Sequence, residues 1–258
     1  MVGTQERSQE DSRPVRRAPP PMAAARIVER RDLTEDLWII RLEPSVERFA
    51  FKPGQYCTIG AEGIERPYSI VSAPEEPLIE LFVELVPPPE GQLTPILHRM
   101  GVGAEVSRRP KPKGIFTLDR TAKTHVFVST VTGVAPTVSI LRHAIMTGET
   151  ADKQFHVLDG GSYQDELAYS DELRALAERH DFIRFTPTVS RPNDPRNAGW
   201  MGATGRVNTL VEDYLRDNDL DPETTLVYAC GHPGMIEDVK QRMVHIGYLV
   251  KEERFWKD

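Results

Sequence analysis

Between Ala24 and Asp119 the apolar residues fall in short runs separated by Pro and Gly: "ARIVERRD", "LWIIRLEP", "QYCTIGA", "RPYSIVSA", "LIELFVELVP" and "AEVSRRP". Runs of this length, rich in Val, Ile, Tyr and Phe, read as strands, and their density predicts a small antiparallel barrel or sandwich. One short helix interrupts them, Thr94 to Met100. After Thr121 the rhythm changes. The apolar segments "HVFVST", "QFHVLD", "FIRFTPTVS" and "TLVYAC" alternate with helical patterns that begin near Ala135, run from about Asp165 to His180, and begin again at Arg206 and Pro233. That βαβα order implies a parallel sheet covered on both faces. The chain therefore divides, as an expectation, into a disordered arm (1–23), a β domain (24–120) and an α/β domain (121–258).

Composition narrows the functional classes. With 39% hydrophobic and 28% charged residues in 258, the chain is expected to hold two ordinary globular cores. No apolar window is long enough to cross a bilayer, and the first 25 residues lack the apolar region of a secretory signal, so a cytoplasmic protein away from membranes is expected. Thirty-nine acidic against 32 basic residues give a net charge of -7, which disfavours nucleic-acid binding. The densest basic stretch is "SRRPKPK", with Arg108, Arg109, Lys111 and Lys113. Cys57 and Cys230 stand far apart, so neither a disulfide framework nor a cysteine-held iron–sulfur or zinc centre is expected. No metal site is indicated: HExxH is absent, and "DNDLDPE" has Pro222 where a calcium loop needs Gly. Walker and GxSxG signatures are absent as well.

Four stretches carry candidate chemistry. In "RPYSIVSAP" a strand opens with Arg66, Pro67, Tyr68 and Ser69, and period two puts the guanidinium and the phenol on one face. A strand entering from the surface would satisfy the same pattern. In "HVFVSTVTGVAPTVSILRHAI" a buried strand runs into a Thr132–Gly133 turn and a helix with Pro136 near its start, which leaves free amides facing whatever lies above the strand end. In "YACGHPGMIEDV" a second strand ends at Cys230 and Gly231. Two such turns at the carboxyl ends of parallel strands mark one crevice. In "TVSRPNDPRNAGWMGATGRV" Arg191 and Arg206 stand at strand-end and helix-start positions, where guanidinium forks suit a terminal phosphate.

Together these stretches resemble the ferredoxin–NADP reductase family, in its bacterial ferredoxin/flavodoxin reductase branch. The resemblance runs from about residue 24 to the C-terminus and rests on "RPYS", "EGQLT" followed by "VGAEV", "KGIFTL", "TVTGVAP", "VSRP", "YACGHPGM" and "ERFW" in the family's order. It implies an antiparallel Greek-key β-barrel that binds FAD, followed by a Rossmann-like parallel α/β domain for NADP(H). By resemblance Arg66 pairs with the FAD pyrophosphate, Tyr68 stacks on the isoalloxazine, and Ser69 bonds near its N5. Pro67 and Leu93 belong to the same cofactor set, and Gly91 and Thr94 supply amides and a hydroxyl to the pyrophosphate. Thr132, Gly133 and Gly231 line the nicotinamide crevice, with Cys230 placed beside Tyr68 and Ser69 at the reacting centre. Arg191 and Arg206 meet the 2′-phosphate, and Phe255 and Trp256 fold back over the FAD.

Two positions depart from the family pattern. Val131 stands where a glycine is usual before the Thr-Gly pair, and Ser162 in "GSY" stands where the bacterial branch often has an arginine. The implied activity is hydride transfer between nicotinamide and flavin, then single-electron exchange with ferredoxin or flavodoxin, docked electrostatically on the "SRRPKPK" face. An NADH-dependent reductase component of an oxygenase and a non-catalytic flavin- or nucleotide-binding module are the alternatives.

Overall fold

The computed structural model describes residues 22–45 and 49–254. Six strands, β1 (Ala23–Asp32), β2 (Leu37–Pro44), β3 (Tyr56–Ala61), β4 (Ile64–Ser69), β5 (Ile79–Glu84) and β6 (Glu105–Arg108), form an antiparallel sheet in the order β4-β3-β6-β1-β2-β5. Helix α1 (Thr94–Arg99) links β5 to β6. The sheet nearly closes on itself, because Ile70, just past β4, bridges Leu81 of β5. Around that closure β3, β4 and β5 are neighbours in turn and β6 returns beside β3, the Greek-key arrangement. Trp38, Ile40, Leu42, Ile59, Ile70 and Leu81 fill the barrel interior.

The second sheet is wholly parallel, in the order β10-β9-β8-β7-β11-β12. It comprises β7 (Thr124–Thr130), β8 (Gln154–Gly161), β9 (Ile183–Val189), β10 (Ala203–Thr204), β11 (Thr225–Cys230) and β12 (Leu249–Glu253). Helices α2 (Ala135–Thr147), α3 (Ser170–Arg179), α4 (Val207–Asp217) and α5 (Pro233–His245) are the crossovers. Two details differ from the sequence pattern. The helix expected from about Asp165 is a 3-10 turn at Gln164–Glu166 followed by α3 from Ser170. The pattern predicts no strand after α5, yet β12 pairs with β11 from Leu226↔Leu249 to Cys230↔Glu253.

The two sheets share a core. Leu37, Ile39, Val71, Phe82 and Phe116 pack with Val134, Val138, Leu141 and Tyr228 in one buried cluster. Ser139 in α2 donates to Ser72 O (2.8 Å), and Arg142 in the same helix grips Glu172 through Nε (2.7 Å) and Nη2 (2.8 Å) while reaching Glu80 of the barrel (3.4 Å). Tyr169 adds its hydroxyl to Glu80 (2.9 Å). Buried polar pairs of this kind are geometrically demanding, so they fix how one sheet sits on the other.

Candidate functional site

The end of β4 and the entry to α1 form one rim. Arg66 is exposed, and its Nη1 donates to Glu65 O (2.8 Å) and its Nη2 to Gln92 Oε1 (2.5 Å). The second bond ties the guanidinium to the turn that leads into α1. No side chain caps that helix, whose N-cap is Leu93. Gly91 is required by packing, since a Cβ there would lie 1.7 Å from Val86 O. Tyr68 packs part of its ring on the barrel core opposite Cys57. Burial raises its hydroxyl pKa, with Arg66 pulling the other way. One expectation changes here. The Thr94 hydroxyl accepts from Val86 N and donates to Val86 O (both 3.0 Å), so it locks the turn instead of facing a phosphate.

The crevice lies where the strand order of the parallel sheet reverses, between β7 and β11. After Thr130 the chain enters a 3-10 turn, Val131–Val134, that runs directly into α2. A Cβ on Gly133 would meet Cys230 O at 2.2 Å, and one on Gly231 would meet Thr130 Oγ1 at 2.2 Å. The two glycine turns therefore touch backbone to backbone. His232 N closes the contact by donating to Thr130 Oγ1 (2.8 Å). Thr132 sits half-buried in the first turn, and its carbonyl accepts from Ala135 N. Val131 adopts φ +48°, left-handed backbone that a β-branched side chain rarely occupies, at a cost of roughly 1–3 kcal/mol. Cys230 is buried in the shared core, where burial and the Glu253 carboxylate raise the thiol pKa far above its ordinary value. It is a neutral thiol at the crevice wall.

A series of cross-strand neighbours leads from rim to crevice. Ser69 pairs with Tyr56 across β4 and β3. Tyr56 lies beside Glu253, both meeting the space over Gly114, and Glu253 pairs with Cys230 across β12 and β11. Sequence reasoning alone misses Glu253. Its one signal is an acid placed immediately before an arginine and two aromatics. Burial pushes its carboxyl up to about 7, partly offset by the Phe116 backbone. Asp159 behaves alike: fully buried on β8, it accepts from Ser129 Oγ (2.7 Å), its Oδ2 has no partner, and its carboxyl rises from 3.8 to about 7.

In both cases the folded state holds the proton more tightly than the unfolded chain. Their contribution to stability is complete below the ordinary carboxylate range and is lost as pH rises through about 7. Burial lowers the pKa of His125 and His156 from 6.5 to about 4, and their opposing contribution offsets much of this below pH 6.5. The test is therefore a difference: the melting temperature of Asp159→Asn relative to wild type should rise as pH is taken from acid through about 7. An identical pH profile in the variant would refute the assignment.

On the far side of the crevice, Arg191 lies just beyond β9, and its Nη1 donates to Tyr163 Oη (2.5 Å). Arg206 is the exposed N-cap residue of α4. Ser162 stands at the end of β8, its amide held by Glu166 Oε2 (2.7 Å). The expected basic face is reduced. Arg108 is buried, its guanidinium lying 4.0 Å from the centroid of the Phe49 ring, and burial lowers its pKa. Arg109 is held by both oxygens of Glu65 (2.7 and 2.8 Å). Lys111 and Lys113 remain exposed. Phe255 and Trp256, and the expected arm up to residue 21, lie outside the described residues. Among the described residues no group of three or more His, Cys, Asp or Glu is arranged to hold a metal, and no helix is long and apolar enough to cross a membrane.

The fold is thus an antiparallel barrel joined by a shared core to a parallel α/β sheet with a crevice at its switch point. Residues 127–241 match the family model described as an oxidoreductase NAD-binding domain. The chain is 34% identical over 205 residues to a ferredoxin–NADP reductase B of Sorangium cellulosum, covering 75% of this chain and 79% of that one. It is 30% identical over 203 residues to the flavodoxin/ferredoxin–NADP reductase of Escherichia coli K12, covering 74% and 77%. Among solved structures, a ferredoxin NADP+ reductase from Neisseria gonorrhoeae with bound FAD and NADP superposes with a TM-score of 0.79 at 25% identity, over 91% of this chain and 99% of that one. The chain belongs to the ferredoxin–NADP reductase family.

Proposed function

We propose that this protein is an FAD-dependent ferredoxin/flavodoxin–NADP(+) reductase, passing hydride between NADP(H) and flavin and exchanging single electrons with a ferredoxin or flavodoxin. The observation that carries the reading is the line Ser69, Tyr56, Glu253, Cys230, which leads from the β4 rim to the nucleotide crevice. The donor set fits the flavin dinucleotide: an exposed guanidinium tied to the entry of an uncapped helix meets a diphosphate, and an aromatic ring on the same strand meets an isoalloxazine. Pro67, Ser69, Gly91 and Leu93 complete that wall. FAD supplies a centre that takes two electrons and releases them singly. The chain orients the reactants and excludes water, and Glu253 holds a proton near neutral pH at the junction. Thr132, Gly133 and Gly231 admit the nicotinamide, and Arg191 and Arg206 select the 2′-phosphate.

The test is an absorbance spectrum of the purified protein followed by stopped-flow reduction with each coenzyme. NADPH should reduce the flavin in preference to NADH. Arg191→Ala should raise KM for NADPH about tenfold or more, as one charge-assisted contact is lost, and leave KM for NADH unchanged. Equal use of both coenzymes would favour the second reading, an NADH-dependent reductase component of an oxygenase, which the serine at position 162 supports.

The proposed docking surface for the carrier is the exposed pair Lys111 and Lys113. Lys113 exchanges backbone hydrogen bonds with Tyr56 (2.9 and 3.0 Å), which sets it beside the junction, and Ile115, 74% exposed, adds an apolar contact. Reversing both lysine charges should slow reduction of an acidic carrier several-fold at low salt, and less at high salt, while sparing a small neutral acceptor. Equal losses with both acceptors would point to a damaged flavin site, and an unchanged rate with the acidic carrier would refute docking over these lysines.

A further inference from the structure

The loop between β9 and β10 brings a third arginine to the crevice. Arg196 lies with its guanidinium carbon 3.7 Å from the centroid of the Tyr163 ring, and Arg191 lies 5.3 Å from the same centroid. Tyr163 directly follows Ser162, the position that lacks the family's guanidinium. The loop is firmly strapped down. Asn197, 2% exposed, donates through Nδ2 to Ser162 O (3.0 Å) and to Arg191 O (2.8 Å), and its Oδ1 accepts from Gln164 N (2.7 Å). Gln164 Nε2 adds a bond to Arg196 O (2.7 Å), and Asp194 Oδ1 accepts from Arg196 N (3.0 Å).

Resting on the NADP(H) reading above, we propose that Arg196 is a further specificity residue that binds the coenzyme's 2′-phosphate from the β9–β10 loop, replacing the guanidinium missing at Ser162. The fork is set up for this. Asp165 takes its Nε and Nη2 (3.1 and 2.6 Å), which orients the plane and leaves Nη1 for another acceptor. Arg191 likewise directs one Nη1 to the tyrosine hydroxyl and keeps the rest of its donors. The Arg196–Asp165 pair is solvent-exposed, each side chain 43% accessible, so exchange of part of it for a phosphate dianion meets little resistance. Tyr163 serves as the platform that holds both cations by their faces.

The experiment measures binding of adenosine 2′,5′-bisphosphate and of 5′-AMP by calorimetry, which needs neither flavin nor turnover. Arg196→Ala should weaken the bisphosphate about tenfold, the loss of one charge-assisted contact, and leave 5′-AMP unchanged. Asp165→Asn separates the roles. If Arg196 serves the phosphate, removing the competing carboxylate should maintain or tighten bisphosphate binding. If Arg196 only anchors the loop through Asp165, both variants should weaken binding together, and the proposal is overturned. Bisphosphate binding that falls in Arg191→Ala but not in Arg196→Ala overturns it too, with the NADP(H) reading intact. No preference of the wild-type protein for the 2′-phosphate removes both.

Discussion

Replacing Gly133 by alanine should lower affinity for the nicotinamide coenzyme at least tenfold and reduce thermal stability. The added Cβ would lie 2.2 Å from Cys230 O, 2.5 Å from its carbonyl carbon and 2.7 Å from Gly231 Cα, all backbone atoms of the neighbouring turn. No rotamer change relieves such a clash, so the 3-10 turn and the end of β11 must separate. Overpacking of this kind costs about 1–3 kcal/mol. The functional loss is expected to be larger than the stability loss, because misplacing a reacting group by about 1 Å can reduce rate ~100-fold. Gly101→Ala is the control, since an added methyl there would meet nothing within 4 Å and the residue's φ is not in the left-handed range. Coenzyme titration and a thermal melt on both variants decide the matter. Wild-type binding in Gly133→Ala would mean that the coenzyme does not enter over these turns.

Where the sequence is readable, the reason is hydrophobic periodicity. Strands such as "HVFVST" are buried on both faces and read as continuous apolar runs, which only a covered parallel sheet accommodates. β12 escapes because "LVKEE" is an edge strand whose charged residues carry no such pattern. Arg108 shows a signal present but unused. Period two puts it on the face of Val106, both buried, so a strand reading of "EVSR" already points it inward. Counting cations along a segment ignores direction, and so places it on a docking face. Thr94 is legible as a turn residue, whereas the choice of its hydroxyl between a ligand and Val86 depends on how closely β5's exit approaches α1, a long-range distance. Val131 is the reverse case. Its presence in place of a glycine is visible in sequence, whereas the left-handed φ of +48° that this β-branched residue holds is visible only in the structure.

Arg66→Ala should weaken FAD binding by roughly one to two orders of magnitude, because each charge-assisted bond to a diphosphate contributes about 1.5–3 kcal/mol. The side chain is exposed, and its protein contacts are a neighbouring carbonyl and the Gln92 amide, so the protein without flavin should melt at an unchanged temperature. The effect should appear only when FAD is added. A ligand that binds the folded state stabilises it by an amount set by the ratio of its concentration to Kd, so a weaker Kd reads out as a smaller FAD-induced rise in Tm. Arg66→Lys keeps the charge but loses the planar fork that grips two oxygens and the bond to Gln92 at once, and should fall between wild type and alanine. Tyr68→Ala should act differently, since its ring packs on the barrel core: it should lower the melting temperature with or without FAD and also alter the flavin spectrum. If Arg66→Ala binds FAD as tightly as wild type and gains the same rise in Tm, the diphosphate does not lie along the β4 rim, and the line from Ser69 to Cys230 would have to be read without a flavin at its end.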